Sequence, residues 1–537
     1  MFKHINHKLF FPLLFLAILL IYCVTSVHAL SFMHDALPYL NRTKTGIEQF
    51  SWQLYHPHHL LVHFCYIFCG KALVFLFDTT HTSAALMSAH IINILSTIGT
   101  LFVMYLLGTL AQFNRVTLFF LITTTAFSFG VWSYATGPEI YAPNIYFSML
   151  SIYLSFRYVN HHYAGLLVGL VTGIAVSLHL MSILFVITIS FIFCYFKRYR
   201  TVAYYLLSSG LITIILHLPF IYLAGGITPF MQDIMHFSEG HTNLSIAKAF
   251  VYFCAGFSKS LFAPFFMFNI PELLPTLTTL FSTQYLLDDI YLIRNMSPFM
   301  TIAMIFLLSF FCFFMSLLLF SKYTKIHFKS SLQKPLTISF LSISMSYIFF
   351  MTYSSFTSAD INVGNSDFHL FLLYCFWFLI SIYIQNAAKH MQKLIVTIPV
   401  LIVLINFFGS MMWLSQSNND LFFKTSSQLK MIATENTLVI TDLARNYHPY
   451  YTFYNVPGQH VYLSSMRTAE EQSLFFERIN NVDGNIIITT GTISQQLYLK
   501  NRYHISQQFF NSFNLALKKY SITPLLNDNL VLLLTPY

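Results

Sequence analysis

Apolar runs long enough to cross the ~30 Å hydrocarbon core of a bilayer, about 20 residues each, recur along most of this chain and leave it one class of fold. Roughly, they cover 9 to 30, 83 to 110, 116 to 136, 141 to 157, 163 to 179, 181 to 196, 202 to 224, 299 to 320, 335 to 354, 367 to 385 and 393 to 413. With 56% hydrophobic and only 9% charged residues in 537, the chain cannot cover a water-facing surface with polar groups, so it is an α-helical polytopic membrane protein of about 11 transmembrane helices. "SVHA" before Leu30 loosely resembles a signal-peptide cleavage site. The apolar stretch ahead of it exceeds the usual ~7 to 15 residues of such a peptide, so it reads as a retained helix.

The net charge of +9 raises the prospect of nucleic acid, but the basic residues are placed otherwise. Lys3, Lys8, Arg115, Arg157, Lys197, Arg198, Arg200, Lys322, Lys325, Lys329, Lys334, Lys389 and Lys393 sit in short loops between apolar runs, and those loops carry no Asp or Glu. Such loops stay cytoplasmic, which puts the N-terminus inside and, with an odd number of crossings, the C-terminus outside. Two further stretches, 57 to 77 and 247 to 268, carry internal Lys71 and Lys259 with Gly or Pro. Counting either as a crossing would invert the basic loops after it, so both read as interfacial or re-entrant helices within external loops 31–82 and 225–298.

Beyond the membrane part, 1–413, the composition changes. In 414–537 the apolar runs shorten to strand length, "TLVIT" at 437, "HVYLSS" at 460, "NIIITT" at 485 and "LVLLLTP" at 530, and alternate with helix-like segments such as "RTAEEQSLFFERI". This reads as a small α/β extracytoplasmic domain. No glycine-rich nucleotide motif accompanies it. The seven cysteines all lie in apolar segments, so neither a disulfide framework nor a metal cluster follows.

Ionisable groups at a membrane rim are candidates for function. Asp35 stands about five residues beyond the first apolar run, where a carboxylate could take a proton from an acceptor; the same position suits an Asx-turn or a helix cap before "LPYL". "QLYHPHHLLVHF" holds His56, His58, His59 and His63. His59 and His63 share a helical face, but no Glu completes a zinc motif, and imidazoles contacting phosphate or sugar fit better. "VWSYATGPEIYAPNIYF" turns at Gly137 and Pro138 and brings Glu139 and Tyr141 to the start of the next helix. There Glu139 complements the helix dipole, while the aromatic residues suit either an interface belt or a sugar face. "SLHL" puts His179 at an external turn, and "SADINVGNSDFHLF" puts Asp367 and His369 at the outer end of another crossing.

Asp35, the "HPHHLL" segment from His56, and Trp132 with Glu139 and Tyr141 follow the order and sidedness of the GT-C superfamily of integral-membrane glycosyltransferases. The chain resembles the bacterial branch that holds protein O-mannosyltransferases and lipid A aminoarabinose transferases. The resemblance is strongest from residue 1 to about 200, with one acid here where many members carry a pair. It implies a GT-C type fold and inverting transfer of a sugar from a polyprenyl-phosphate donor to a lipid, glycan or protein acceptor. Asp35 would be the general base, and His56, His58, Lys71 and Lys259 would serve the phosphate. Glu139 and Tyr141 would shape the sugar or acceptor pocket, and His59, His179 and Asp367 would also bind substrate. It implies no cofactor, with a divalent cation left open, no nucleic-acid partner, and a bacterial inner-membrane location with the C-terminal domain periplasmic. The competing class is a flippase for a lipid-linked saccharide, which would favour paired broken helices in two related halves.

Overall fold

The structure is a computed structural model. It describes residues 9–33, 35–55, 58–236, 246–263, 297–321, 330–357, 369–385, 391–482, 484–494, 496–503, 505–525 and 530–536, with a few single positions between them. The chain divides into two compact units, Met1–Val27 with Thr45–Ser415, and His28–Lys44 with Gln416–Tyr537. The segment His28–Lys44, which the sequence places in the first external loop, thus folds with the C-terminal residues.

The helices run in chain order as α1 (Phe10–Val24), α2 (Ala36–Glu48), α3 (Val62–Phe77), α4 (His81–Leu110), α5 (Arg115–Phe127), α6 (Phe129–Thr136), α7 (Tyr141–Arg157), α8 (Ala164–Leu178), α9 (Ile183–Tyr195), α10 (Tyr199–Leu223), α11 (Ile227–His236) and α12 (Ile246–Leu261). Pro298–Leu319, Gln333–Thr357, Leu370–Ile384 and Gln392–Asn406 follow. Every expected crossing therefore coincides with helix. Among the described residues, four helices are long and apolar enough to cross a bilayer unaided, and a fifth is gained if α5 and α6 count as one. Five further apolar helices are shorter, at 10–17 residues. Rows of exposed Leu, Ile and Phe on α10 and on Pro298–Leu319 leave an apolar face toward lipid.

Two crossings that read as continuous are broken. The α5–α6 axis bends by 61° at Ser128, whose backbone is extended. Its hydroxyl donates to the Thr124 carbonyl at 2.8 Å and accepts from the Trp377 indole at 2.7 Å, so the break carries its own polar partners. The last helix passes into a π-turn at Phe407–Met411. Just before it, Asn406 donates to the carbonyls of Phe127 and Leu261 and accepts from the Ala263 amide, which ties three helix ends together.

Helix α8 packs closely on α10. Gly165, Gly169 and Gly173 recur every fourth residue on α8, and a methyl group on Gly169 would stand 2.6 Å from the Tyr205 carbonyl oxygen and 2.9 Å from the Ser209 nitrogen. Small residues on one stripe let two backbones approach in lipid, where water gives no push toward association.

The second unit holds a mixed five-stranded sheet in the order β2-β1-β3-β5-β4: β1 (Leu438–Thr441), β2 (Gln459–Tyr462), β3 (Ile486–Thr489), β4 (Tyr520–Pro524) and β5 (Val531–Pro536). β1 lies parallel to β2 and β3, and β5 lies antiparallel to β3 and β4. The central strands "LVIT" and "IIIT" are buried throughout, as strands covered on both faces must be. The helix Ala469–Asn481 starts with a capping box between Thr468 and Glu471. The edge strand β4 was not expected, because "YSITP" is polar and exposed and gives no apolar run.

Gly169→Val should lower the apparent Tm of the protein in detergent, an overpacking cost of about 1–3 kcal/mol. Gly210→Ala on α10, where an added methyl meets nothing within 4 Å, should hold or raise it. Equal shifts would disprove the close packing. A second expectation concerns His460 on β2, which stacks on Tyr451 at 4.5 Å. Burial pushes its pKa below the ordinary 6.5, and His448 adds to the effect, against a backbone hydrogen bond to Val456. The folded unit thus binds fewer protons than the unfolded chain, so this stability is full above pH 6.5 and declines as the pH falls toward the depressed value. His460→Gln should flatten that dependence in hydrogen exchange of β1 and β2 at pH 5.5 against 7.5.

Candidate functional site

Pro138 has no amide hydrogen to continue α6, so the chain turns at Gly137–Glu139 before α7 begins at Tyr141. The turn is held from two neighbouring helices. The Asn93 amide group on α4 donates to the Gly137 carbonyl at 2.8 Å and to the Glu139 carbonyl at 2.5 Å. Tyr66 on α3 lies 2.7 Å from both Asn93 Oδ1 and the Glu139 carbonyl. Since the two Asn93 protons serve the two carbonyls, the single Tyr66 proton is left for Asn93 Oδ1. All four groups are buried, and the Glu139 residue itself is only 3% exposed.

A second set of contacts brings the histidine segment to the same place. The Leu61 amide donates to the Ser177 carbonyl, and the Leu180 amide to the His58 carbonyl, each at 3.3 Å. The stretch 58–61 is thereby laid against the turn that ends α8. The His59 and His179 rings come to 4.5 Å between centroids, Tyr141 and His179 to 5.3 Å, and His59 and Tyr141 to 6.4 Å. His58 stands 6.1 Å from His59, and Tyr134 lies 5.9 Å from Tyr141.

His179 has a fixed orientation. Its Nδ1 accepts the Met181 amide at 3.1 Å, so the ring is neutral and its proton sits on Nε2. Ser182, one turn on, donates to Asn144 Oδ1 on α7, with Ser148 3.0 Å from the Ser182 hydroxyl. That buried network locks the α8–α9 turn against the helix bearing Tyr141.

The structure thus brings His58, His59, Tyr141 and His179 together, with Glu139 two residues before Tyr141. Trp132 is not part of an exposed aromatic belt. It is 1% exposed, donates to the Thr25 hydroxyl at 2.8 Å and packs edge-on to Phe127, fixing the end of α1 to α6. Lys71 on α3 lies 5.6 Å from the Phe50 ring, and Lys259 lies in the last turn of α12. Asp35 is exposed and stands just ahead of α2, in the second unit. His369 is buried against Phe253 at 5.0 Å. His56 and Asp367 lie outside the described residues.

Sequence reasoning missed Tyr66, Asn93, Asn144 and Ser182. The available signal was a lone asparagine within each of two apolar helices, a costly residue type there that needs a fixed partner. Among the described residues, no group of three or more His, Cys, Asp and Glu is arranged to hold a metal ion. A cavity of about 410 Å³ lies in the second unit at the amino ends of β1, β2 and β3, lined by Asn436, Gln459, Glu477, Arg478 and Asn481 among others. It includes none of the residues singled out in the sequence.

No family model and no curated protein matches the chain. Among solved structures, ArnT from Cupriavidus metallidurans in the apo state is similar over 98% of this chain and 98% of its own, with 11% identity and a TM-score of 0.45. The same protein bound to undecaprenyl phosphate is similar over the same shares, with 10% identity and a TM-score of 0.44.

Asn93→Leu leaves the buried Gly137 carbonyl without its partner, while the Tyr66 hydroxyl turns to the Glu139 carbonyl 2.7 Å away, and should cost about 2–3 kcal/mol. Tyr66→Phe removes one hydrogen bond and should cost about 1 kcal/mol. Thermal unfolding in detergent reads both, and equal losses would contradict Asn93 as the hub.

Proposed function

We propose that this chain is an integral-membrane glycosyltransferase. It moves a sugar from a polyprenyl-phosphate-linked donor to a lipid, glycan or protein acceptor at the outer face of a bacterial inner membrane, with inversion at the anomeric carbon. The observation that supports this most is the His58–His59–Tyr141–His179 cluster, assembled from separate segments that the sequence resemblance had already singled out. Its position at the ends of apolar helices suits a donor whose tail lies in lipid.

In this reading the Asp35 carboxylate takes the proton from an acceptor O–H or N–H as that atom bonds to the anomeric carbon. The bond from that carbon to the donor's phosphate oxygen breaks, and its electron pair leaves with the polyprenyl phosphate. Negative charge grows on the departing phosphate, so fixed N–H donors aimed there lower the barrier. The proton on His179 Nε2, set by the Met181 amide, is one such donor, and the neighbouring imidazoles of His58 and His59 are others; His56 would serve the phosphate as well. Lys71 and Lys259 supply positive charge toward the phosphate. Tyr141 and Tyr134 offer aromatic faces to the sugar ring, while Glu139 and Asp367 bind hydroxyls. The second unit lies on the periplasmic side, and the reaction needs no cofactor.

The test is transfer of labelled sugar from a panel of polyprenyl-phosphate sugars by matched amounts of protein in membranes. Asp35→Asn should lower kcat at least ~100-fold with donor binding retained. His179→Ala should lower it ~10- to 100-fold, and EDTA should leave the wild type unchanged. Full activity of Asp35→Asn would remove the base assignment. If no sugar is transferred and a lipid-linked saccharide crosses the bilayer instead, the protein is a flippase.

A further inference from the structure

Within the second unit, the stretch that carries Asp35 is held on both sides by side chains that pair with the C-terminal part of the chain. Upstream, the Ser31 amide donates to Asp420 Oδ2 at 3.0 Å, across 389 residues of sequence. The same oxygen accepts the Tyr450 hydroxyl, while Asp420 Oδ1 caps the helix Leu421–Ile432 by accepting the amides of Phe422 at 3.0 Å and Phe423 at 3.1 Å. Downstream, Asn41 donates to the Pro449 carbonyl at 3.0 Å. Lys44 then closes the stretch, donating to the Phe453 carbonyl at 3.0 Å and to Asn455 Oδ1 at 2.8 Å where the helix Ala444–Tyr454 ends.

These are costly choices for mere docking. Asp420 is fully buried and Lys44 is 7% exposed, although a serine or asparagine would cap the Leu421 helix as well and an apolar residue would fill the space of the lysine stem. A buried polar group with every end hydrogen-bonded holds a backbone in one place with a directionality that apolar packing lacks. The atoms so held flank Asp35 at close range, four residues before it and six after, while Asp35 itself stays exposed.

We propose that the second unit sets the position of Asp35, with Asp420 and Asn41 acting as positioning residues for the transfer step. This rests on the reading of Asp35 as the base. Loosening either hold leaves the carboxylate in the molecule but spreads its location, and a misplaced base costs rate more than it costs donor binding.

The test uses full-length protein in lipid nanodiscs and the variants Asp420→Asn, the milder Asn41→Ala, Asp35→Asn and the double variant Asp35→Asn/Asp420→Asn. Hydrogen exchange over 29–44 should speed up at least tenfold in Asp420→Asn and threefold in Asn41→Ala, and kcat should fall by comparable factors with the donor KM within twofold of wild type. Because a positioning residue acts through the group it places, the double variant should be no slower than Asp35→Asn alone. A purely structural role would instead multiply the two losses, and that result overturns the proposal. So does faster exchange with an unchanged kcat in both positioning variants. Should Asp420→Asn fail to fold, Asn41→Ala alone decides. If Asp35→Asn matches the wild type, the base assignment fails, and the proposed link from this hold to the transfer step is overturned with it. If Asp35→Asn is dead while both positioning variants keep wild-type kcat, only this inference falls.

Discussion

In the interior of a bilayer no water can pair with a backbone group that a helix leaves free, so each interruption of a helix must bring its own partner. The first unit meets that demand with short polar side chains at a few points. Ser128 serves the α5–α6 break, and Asn406 serves three helix ends beside the π-turn. Asn93 serves both carbonyls of the α6–α7 turn. The residues proposed to meet the substrate stand next to these interruptions. Asn93 fixes the turn that leads into Tyr141, and the Ser182–Asn144 pair fixes the turn beside His179.

Electrostatics follows the same division. A neutral His179, committed by the Met181 amide to a proton on Nε2, is a donor that carries no charge into an apolar setting. In the second unit the buried polar ends of Asp420 and Lys44 are held from several directions, while Asp35 is exposed to water. The chemistry proposed for the chain thus combines an exposed base, an oriented neutral donor at His179 and the positive charge of Lys71 and Lys259.

Much of this was legible in the sequence because the strongest signals are long ones. Apolar run length located a helix at every expected crossing, and short apolar runs located β1, β2, β3 and β5. The meeting of His59, Tyr141 and His179 had been grouped by motif order, although no spacing in the chain fixes a distance between 59 and 179. What escaped were features whose cause is tertiary. The bend at Ser128 depends on the Trp377 indole, distant in the chain. The burial of Trp132 depends on Thr25, and strand β4 depends on pairing with β5. The glycine stripe of α8 was visible, but its meaning required knowing that α10 lies over it.

The membership of His28–Lys44 in the second unit has a consequence for how the protein is made. Ribosomes deliver the amino-terminal part first, so the residues around Asp35 leave the translocation machinery long before Asp420, Pro449 and Phe453 exist to receive them. This segment must wait through the insertion of nearly every later helix, and closing so long a loop is an entropic cost met only once the last part of the chain has arrived. Completion of synthesis thereby becomes a condition for the proposed base to reach its place. A nascent chain stalled before Asp420 would carry the acid without the means to aim it.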